Sequence, residues 1–215
     1  MKRIIIFILC LPFLVIAQDS QKRKDKLKQQ GSSSFETIQI GSNMPKIRNQ
    51  LKSVDGSMIS IMPVKEKNGL LVIFTSNTCP FVVMWEDRYK LIEKLAKKNN
   101  LDLFYVNSNY KKRNGDDSFE EMKKHAKKMN YRYPYVLDEK SKLANKFGAK
   151  TTPHIFLFSN KNQLVYKGSI DNNYKDINAV TEFYLKNAIT QLVSNKEVEP
   201  SETKAVGCSI KRYVP

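Results

Sequence analysis

The chain has 215 residues, 27% of them charged and 10% aromatic, and a formal charge of +16 at pH 7. Those figures exclude a disordered chain or a multidomain array and leave one domain with attachments, large enough to bury a core without disulfide staples. Three cysteines make no disulfide scaffold, and the lysines are spread along the chain rather than gathered on one basic helix, so nucleic acid is not an expected partner. Weak attraction to an anionic membrane surface is the partner that such a cationic surface does suggest.

Lys2 and Arg3 precede an apolar run from Ile4 to Ile16 that ends at Ala17. A basic start, an apolar centre and small residues before a cut are the marks of a secretory signal peptide, expected over 1–17 with cleavage near Ala17. The run falls short of the roughly 20 residues that span a membrane, although an uncleaved anchor is the alternative. The expected location is therefore periplasmic or otherwise exported. Cys10 leaves with the leader, so Cys79 and Cys208 are the thiols of the mature chain. Residues 18–34, charged and then Gly31-Ser32-Ser33-Ser34, read as a flexible basic linker.

A folded domain is expected over 35–193. Met58 to Ile61 is a short strand candidate, and Leu70 to Phe74 is a continuous apolar run typical of a strand buried on both faces. Phe81, Met84, Trp85, Tyr89, Ile92 and Leu95 then recur at helical spacing, with Glu86, Lys90, Glu93 and Lys97 on the other side. Leu101 to Val106 is a second buried strand. Ser118 and Glu121 form a capping box for a helix with Phe119, Met122, Ala126 and Met129 inward. Tyr135 to Leu137 leads into a short helix stopped at Gly148, Ile155 to Phe158 is a third strong strand, and Gln163 to Lys167 pairs back antiparallel. A last helix is expected from about Asp176 to Val193, followed over 194–215 by a polar, flexible tail that holds Cys208. This alternation predicts an α/β fold, a three-layer α/β/α sandwich with a mixed central sheet.

Cys79 lies between the Leu70 strand and the Phe81 helix, with Pro80 in the helix's first turn, where its missing amide costs nothing. A thiol there faces unpaired amides and the positive end of the helix dipole, and both favour the nucleophilic thiolate. The alternative is a small buried hydrophobe. Thr151-Thr152-Pro153 precedes the Ile155 strand; Pro153 is either an ordinary strand-edge residue or the second half of a cis Thr152-Pro153 peptide. His154 follows it and could lie near Cys79. His125, among four lysines, reads as a solvated group. Glu86 and Asp87 read as exposed helix charges, with a proton shuttle to Cys79 as the alternative. Cys79, Cys208 and His154 lack metal-ligand spacing, so no metal and no cofactor is expected.

The segment Leu70-Leu71-Val72-Ile73-Phe74-Thr75-Ser76-Asn77-Thr78-Cys79 resembles the strand and loop that lead to the first cysteine of thioredoxin-like proteins, and Thr152-Pro153 resembles their cis-proline loop. Three stretches, Asn77 to Val82, Gly168 to Asn173 and Ala205 to Lys211, are similar to a bacterial redoxin subfamily grouped with alkyl-hydroperoxide-reductase-like and thiol-specific-antioxidant-like proteins. The chain departs from the better-known patterns. Where thioredoxins carry a second cysteine three residues after the first, Val82 stands, and where some relatives have one three residues before, Ser76 stands. The proline that peroxiredoxins keep seven residues before their cysteine is replaced by Val72, and Pro153 and His154 open the strand where they use an arginine.

What the resemblance implies is a thiol–disulfide oxidoreductase of the cell envelope. Cys79 attacks, Cys208 resolves it or packs inertly, Pro153 and Thr152 shape the substrate groove, and Ser76 donates a hydrogen bond to the thiolate. Its expected partners are protein or small-molecule thiols and disulfides. A peroxide reductase of antioxidant function, with peroxide as substrate, and a non-catalytic redoxin-fold binding module are the alternatives.

Overall fold

A computed structural model describes residues 35–62 and 67–214; the leader and linker expected over 1–34 lie outside the described residues. Its centre is a seven-stranded mixed sheet in the order β2-β1-β5-β4-β3-β7-β8. The strands are β1 (Leu51–Ser53), β2 (Met58–Ile59), β3 (Gly69–Thr75), β4 (Leu101–Asn107), β5 (Tyr135–Leu137), β7 (His154–Ser159) and β8 (Leu164–Gly168). A separate two-stranded ladder joins β6 (Thr151–Thr152) to β9 (Cys208–Ser209). β3 is parallel to β4 and antiparallel to β7, so it lies inside the sheet with every residue buried.

Because strand side chains alternate, β3 feeds two cores. Leu71 and Ile73 join Trp85, Tyr89, Leu157 and Ala188 on one face, while Leu70, Val72 and Phe74 join Phe147, Phe156 and Phe158 on the other. Helices α1 (Pro80–Lys98), α2 (Phe119–Met129) and α4 (Tyr184–Val193) cover the first face, and α3 (Lys142–Phe147) covers the second. This is the expected three-layer α/β/α arrangement with a mixed sheet.

The helix ends follow the chemistry of their residues. Pro80 opens α1, and Lys97 and Lys98 sit at its negative end. Ser118 Oγ accepts the Glu121 amide at 3.3 Å to start α2, and Gly148 closes α3 at φ 60°, with the Glu36 backbone where a Cβ would stand.

Several elements differ from expectation. The strand at Met58 stops at Ile59, and β1 has no alternating pattern to announce it. The last helix starts at Tyr184 rather than Asp176, because Asn172 Oδ1 accepts the amides of Thr181 and Glu182 at 3.1 and 3.2 Å and holds that stretch out of helical form; only a 3₁₀ turn forms at Ile177–Ala179. On α1 the buried stripe is Val82, Trp85, Arg88, Tyr89, Ile92, Glu93 and Ala96, while Met84 is exposed. Glu93 therefore faces inward, accepting from Tyr105 Oη at 3.3 Å and from the Arg132 amide at 3.1 Å.

The segment after α4 is fixed along the domain. The Lys167 amide donates to Ser201 O and the Thr203 amide to Lys167 O, each at 3.0 Å, which pins the chain beside β8. Further on, the Ile210 amide donates to Lys150 O at 3.1 Å and the Lys211 amide to Asn109 Oδ1 at 2.9 Å. A tail expected to swing is a strap.

Candidate active site

Cys79 caps α1, and the Val83 amide donates to its carbonyl at 3.0 Å as the first helical bond. The loop before it is held from below by a buried carboxylate. Asp117 Oδ1 accepts the Asn77 amide at 2.8 Å and Asn107 Nδ2 at 2.7 Å, and Oδ2 accepts Asn109 Nδ2 at 2.9 Å. Tyr135 Oη, donating to Asn77 Oδ1 and accepting from Asn107 Nδ2 at 2.9 Å each, closes this lattice. On the far side Asp171 ties α1 to the Gly168–Asn173 loop, accepting Trp85 Nε1 at 3.0 Å and Arg88 Nε at 3.2 Å.

Opposite Cys79 stands the β6 loop, and its Thr152-Pro153 peptide is cis. The Cys79 thiol is 6% exposed and donates to Thr152 O at 3.0 Å. Thr152 is paired in the β6–β9 ladder with Cys208, whose sulfur comes near disulfide distance of Cys79; both cysteines are free. Gly207 permits that approach, because a Cβ there would collide with Thr152 O. Cys79, Cys208, Thr152 and Pro153 thus meet at one point. Ser76 is buried beside them, and its hydroxyl accepts the Cys79 amide at 3.2 Å, which positions the backbone that carries the thiol.

The two thiols are electrically unequal. Burial disfavours the Cys79 thiolate, but hydrogen bonds from the Cys208 thiol, from Thr152 and from the Val82 and Cys208 amides outweigh it, and its pKa lies below the ordinary thiol value. The Thr152 hydroxyl is buried and holds no hydrogen bond, which leaves it available as a donor to a thiolate. Cys208 moves the opposite way, raised by burial and by the neighbouring Cys79. Of the pair, Cys79 is the thiol whose surroundings favour the thiolate, and Cys208 the one whose surroundings favour the protonated form.

Other candidates fall elsewhere. His154 points into the opposite core against Phe156, its Nδ1 accepting the Lys150 amide at 3.1 Å. Burial, reinforced by Lys167, Lys150 and Arg212, pushes its pKa down to about 3 and keeps it neutral. His125 is not solvated: its Nε2 lies 2.7 Å from Glu86 Oε1, and its ring packs edge-on to Tyr131. That pair also removes Glu86 from the exposed helix charges, whereas Asp87 stays outside and binds Arg88 at 2.7 Å. Among the described residues no cluster of three or more His, Cys, Asp or Glu side chains is placed to hold a metal ion, and no helix is long and apolar enough to cross a membrane.

A cysteine at a helix N-terminus, facing a cis-proline loop at one end of a mixed sheet, defines a thioredoxin-like protein. The chain matches the redoxin family model over residues 39–182 and belongs to that family. Among solved structures it is similar to a hypothetical protein from Sinorhizobium meliloti, with 28% identity and a TM-score of 0.75 over 84% of this chain and 98% of that one. An uncharacterized conserved protein from Geobacillus kaustophilus gives 26% identity and a TM-score of 0.75 over 84% and 95%. Peroxidoxin BcpB from Mycobacterium tuberculosis shares the fold at 13% identity and a TM-score of 0.52, over 64% and 90%. A search of curated proteins finds no match. A redoxin fold with two cysteines near disulfide distance supports a thiol/disulfide redox function.

Proposed function

We propose that this redoxin is a thiol–disulfide oxidoreductase of the cell envelope in which Cys79 attacks and Cys208 resolves. One observation carries the reading: the β6–β9 ladder seats Cys208 against Cys79, beside the cis Thr152-Pro153 bond. The Cys79 thiolate attacks a substrate disulfide, forming a mixed disulfide and releasing one substrate thiol. Cys208 then attacks the Cys79 sulfur, releasing the second substrate thiol and leaving a Cys79–Cys208 disulfide. Two electrons and two protons pass from the protein dithiol to the substrate, and an external dithiol reverses the change to complete the cycle. The position of Cys208 in a strand means that resolution needs no swing of the tail. Export rests on the leader-like run before Ala17, which suits a compartment where disulfides persist.

The test uses the mature protein and its Cys79→Ser and Cys208→Ser variants with a small-molecule disulfide. Cys79→Ser is expected to lose exchange, and Cys208→Ser to accumulate the mixed disulfide on Cys79, detected by intact mass. Equal rates in all three proteins refute the reading. Fast loss of the Cys79 thiol with low peroxide, and none with disulfides, replaces it with peroxide reduction.

A further inference from the structure

On the outer side of α1 a cavity of about 320 Å³ opens between that helix, the loop after β8 and the start of α4. Its volume is at the small end of the roughly 300–1,000 Å³ usual for ligand pockets. The walls are apolar: Leu91, Leu95, Ile170, Ile177, Phe183 and Leu185. Leu91 and Phe183 are left 46% and 42% exposed, so large hydrocarbon groups face water across the mouth rather than closing on each other.

The rim carries charge of one sign. Lys94 and Lys98, one turn apart on the same side of α1, and Lys186, whose Nζ lies 5.2 Å from the Phe183 ring centroid, border the cavity. Among the described residues none of these three ammonium groups has a carboxylate within 4.0 Å. The lone acid at the cavity, Asp171, is already bonded to Arg88 and Trp85 and offers nothing to a cation. The complement of an apolar floor under unpaired cations is a molecule with a hydrocarbon chain and an anionic head.

We propose that this cavity binds a free single-chain amphiphilic anion of the fatty-carboxylate class, with its chain along Leu91, Ile177 and Phe183 and its carboxylate among Lys94, Lys98 and Lys186. The site does not involve Cys79 or the strap, so it stands whether or not the thiol chemistry does.

The experiment is calorimetric titration of the full chain with monomeric dodecanoate, below its micellar concentration, against hexanoate, dodecanol and dodecyltrimethylammonium. Saturable binding of one dodecanoate, weaker for hexanoate and dodecanol and absent for the cation, is expected. Exchanging all three lysines, as Lys94→Gln, Lys98→Gln and Lys186→Gln together, is expected to weaken dodecanoate about ten-fold while leaving dodecanol unchanged. Leu91→Asp, at an exposed position with little demand on folding, is expected to abolish both. Equal affinity for dodecanoate and dodecanol overturns the proposal, as does indifference to the lysine exchange. Binding to anionic phosphatidylglycerol vesicles without binding of monomeric dodecanoate assigns the face to a membrane surface instead and overturns it as well.

Discussion

The loop that carries Cys79 is locked from beneath by buried side chains, whereas the segment that carries Cys208 is laid on from outside, largely through its own backbone groups. Asp117, 0% exposed, holds three donors under Cys79, one from the loop before α1 and two from the end of β4 and the loop after it. The strap after α4 instead borrows the edge of β8, the β6 loop and Asn109. The difference fits the chemistry proposed for each thiol. An attacking thiolate needs a fixed field of amides and hydroxyls, while a resolving thiol must be close yet able to give way when a substrate enters. The comparison predicts that damage beneath Cys79 is global and damage to the strap is local.

Asp117→Ala tests the first half most severely. It strands the Asn77 amide and the Asn107 and Asn109 side-chain amides without their acceptor, and buried orphan donors cost about 1–3 kcal/mol each. A loss of about 4 kcal/mol in urea denaturation is expected, with the strap and the domain lost in one transition. A loss below 1 kcal/mol, on the order of an ordinary surface change, breaks the comparison.

His154 marks the boundary, since it starts β7 beneath the strap and feels Arg212 as well as Lys167 and Lys150. Its folded pKa, about 3, is below its ordinary value of 6.5, so the unfolded chain takes up a proton that the folded one refuses. The stability this contributes is full above the unfolded pKa and drains away as the pH falls toward the folded one. The wild type is expected to lose about 2 kcal/mol more than His154→Gln between pH 7 and pH 5, read from urea midpoints at both values. Parallel losses in the two proteins would show that the imidazole titrates normally.

Gly207→Val presses on the strap alone. Its Cβ would collide with Thr152 O, so the strap must lift from the β6 loop. Global stability is expected to fall by about 1 kcal/mol, while exchange of the 206–209 amides speeds up and oxidation to the Cys79–Cys208 disulfide slows. Unfolding of the whole domain together with the strap would erase the distinction between the two regions.

What could be read in the sequence divides along the same line. The β3 run, Cys79-Pro80 and Thr152-Pro153 are legible because a doubly buried strand, a helix start and a proline each leave a local signature. The strap has none: it is held by backbone groups of β8 and β6 and by Ser169 and Tyr166, and a residue such as Thr203, which bonds both of these, looks like any tail residue. The Asp117 lattice joins residues up to 58 positions apart, and no spacing announces it. His125 looks solvated among Lys123, Lys124, Lys127 and Lys128, yet it shares the inner side of α2 with Met122 and Met129, and that period was the available signal. The start of α4 is misread because Thr181 and Glu182 give their amides to Asn172, a side chain nine and ten residues earlier.

The smallest change falls where the two regions touch. Thr152 serves Cys79 twice: its carbonyl accepts the thiol's hydrogen bond at 3.0 Å, and its unpartnered hydroxyl, free to turn to the thiolate, lowers the thiol pKa. Thr152→Val keeps the shape, the backbone carbonyl and the ladder to Cys208 while removing the hydroxyl alone. Burial then acts on the thiolate with one donor fewer against it, so the Cys79 pKa is expected to rise. Alkylation of Cys79 by iodoacetamide, followed by mass spectrometry from pH 5 to pH 10, should shift to higher pH, with folding stability unchanged or slightly improved because a buried orphan hydroxyl is gone. An unshifted profile would mean that the Val82 amide and the Cys208 groups suffice to hold the thiolate, and would move the control of its charge from the β6 loop to the helix and the strap.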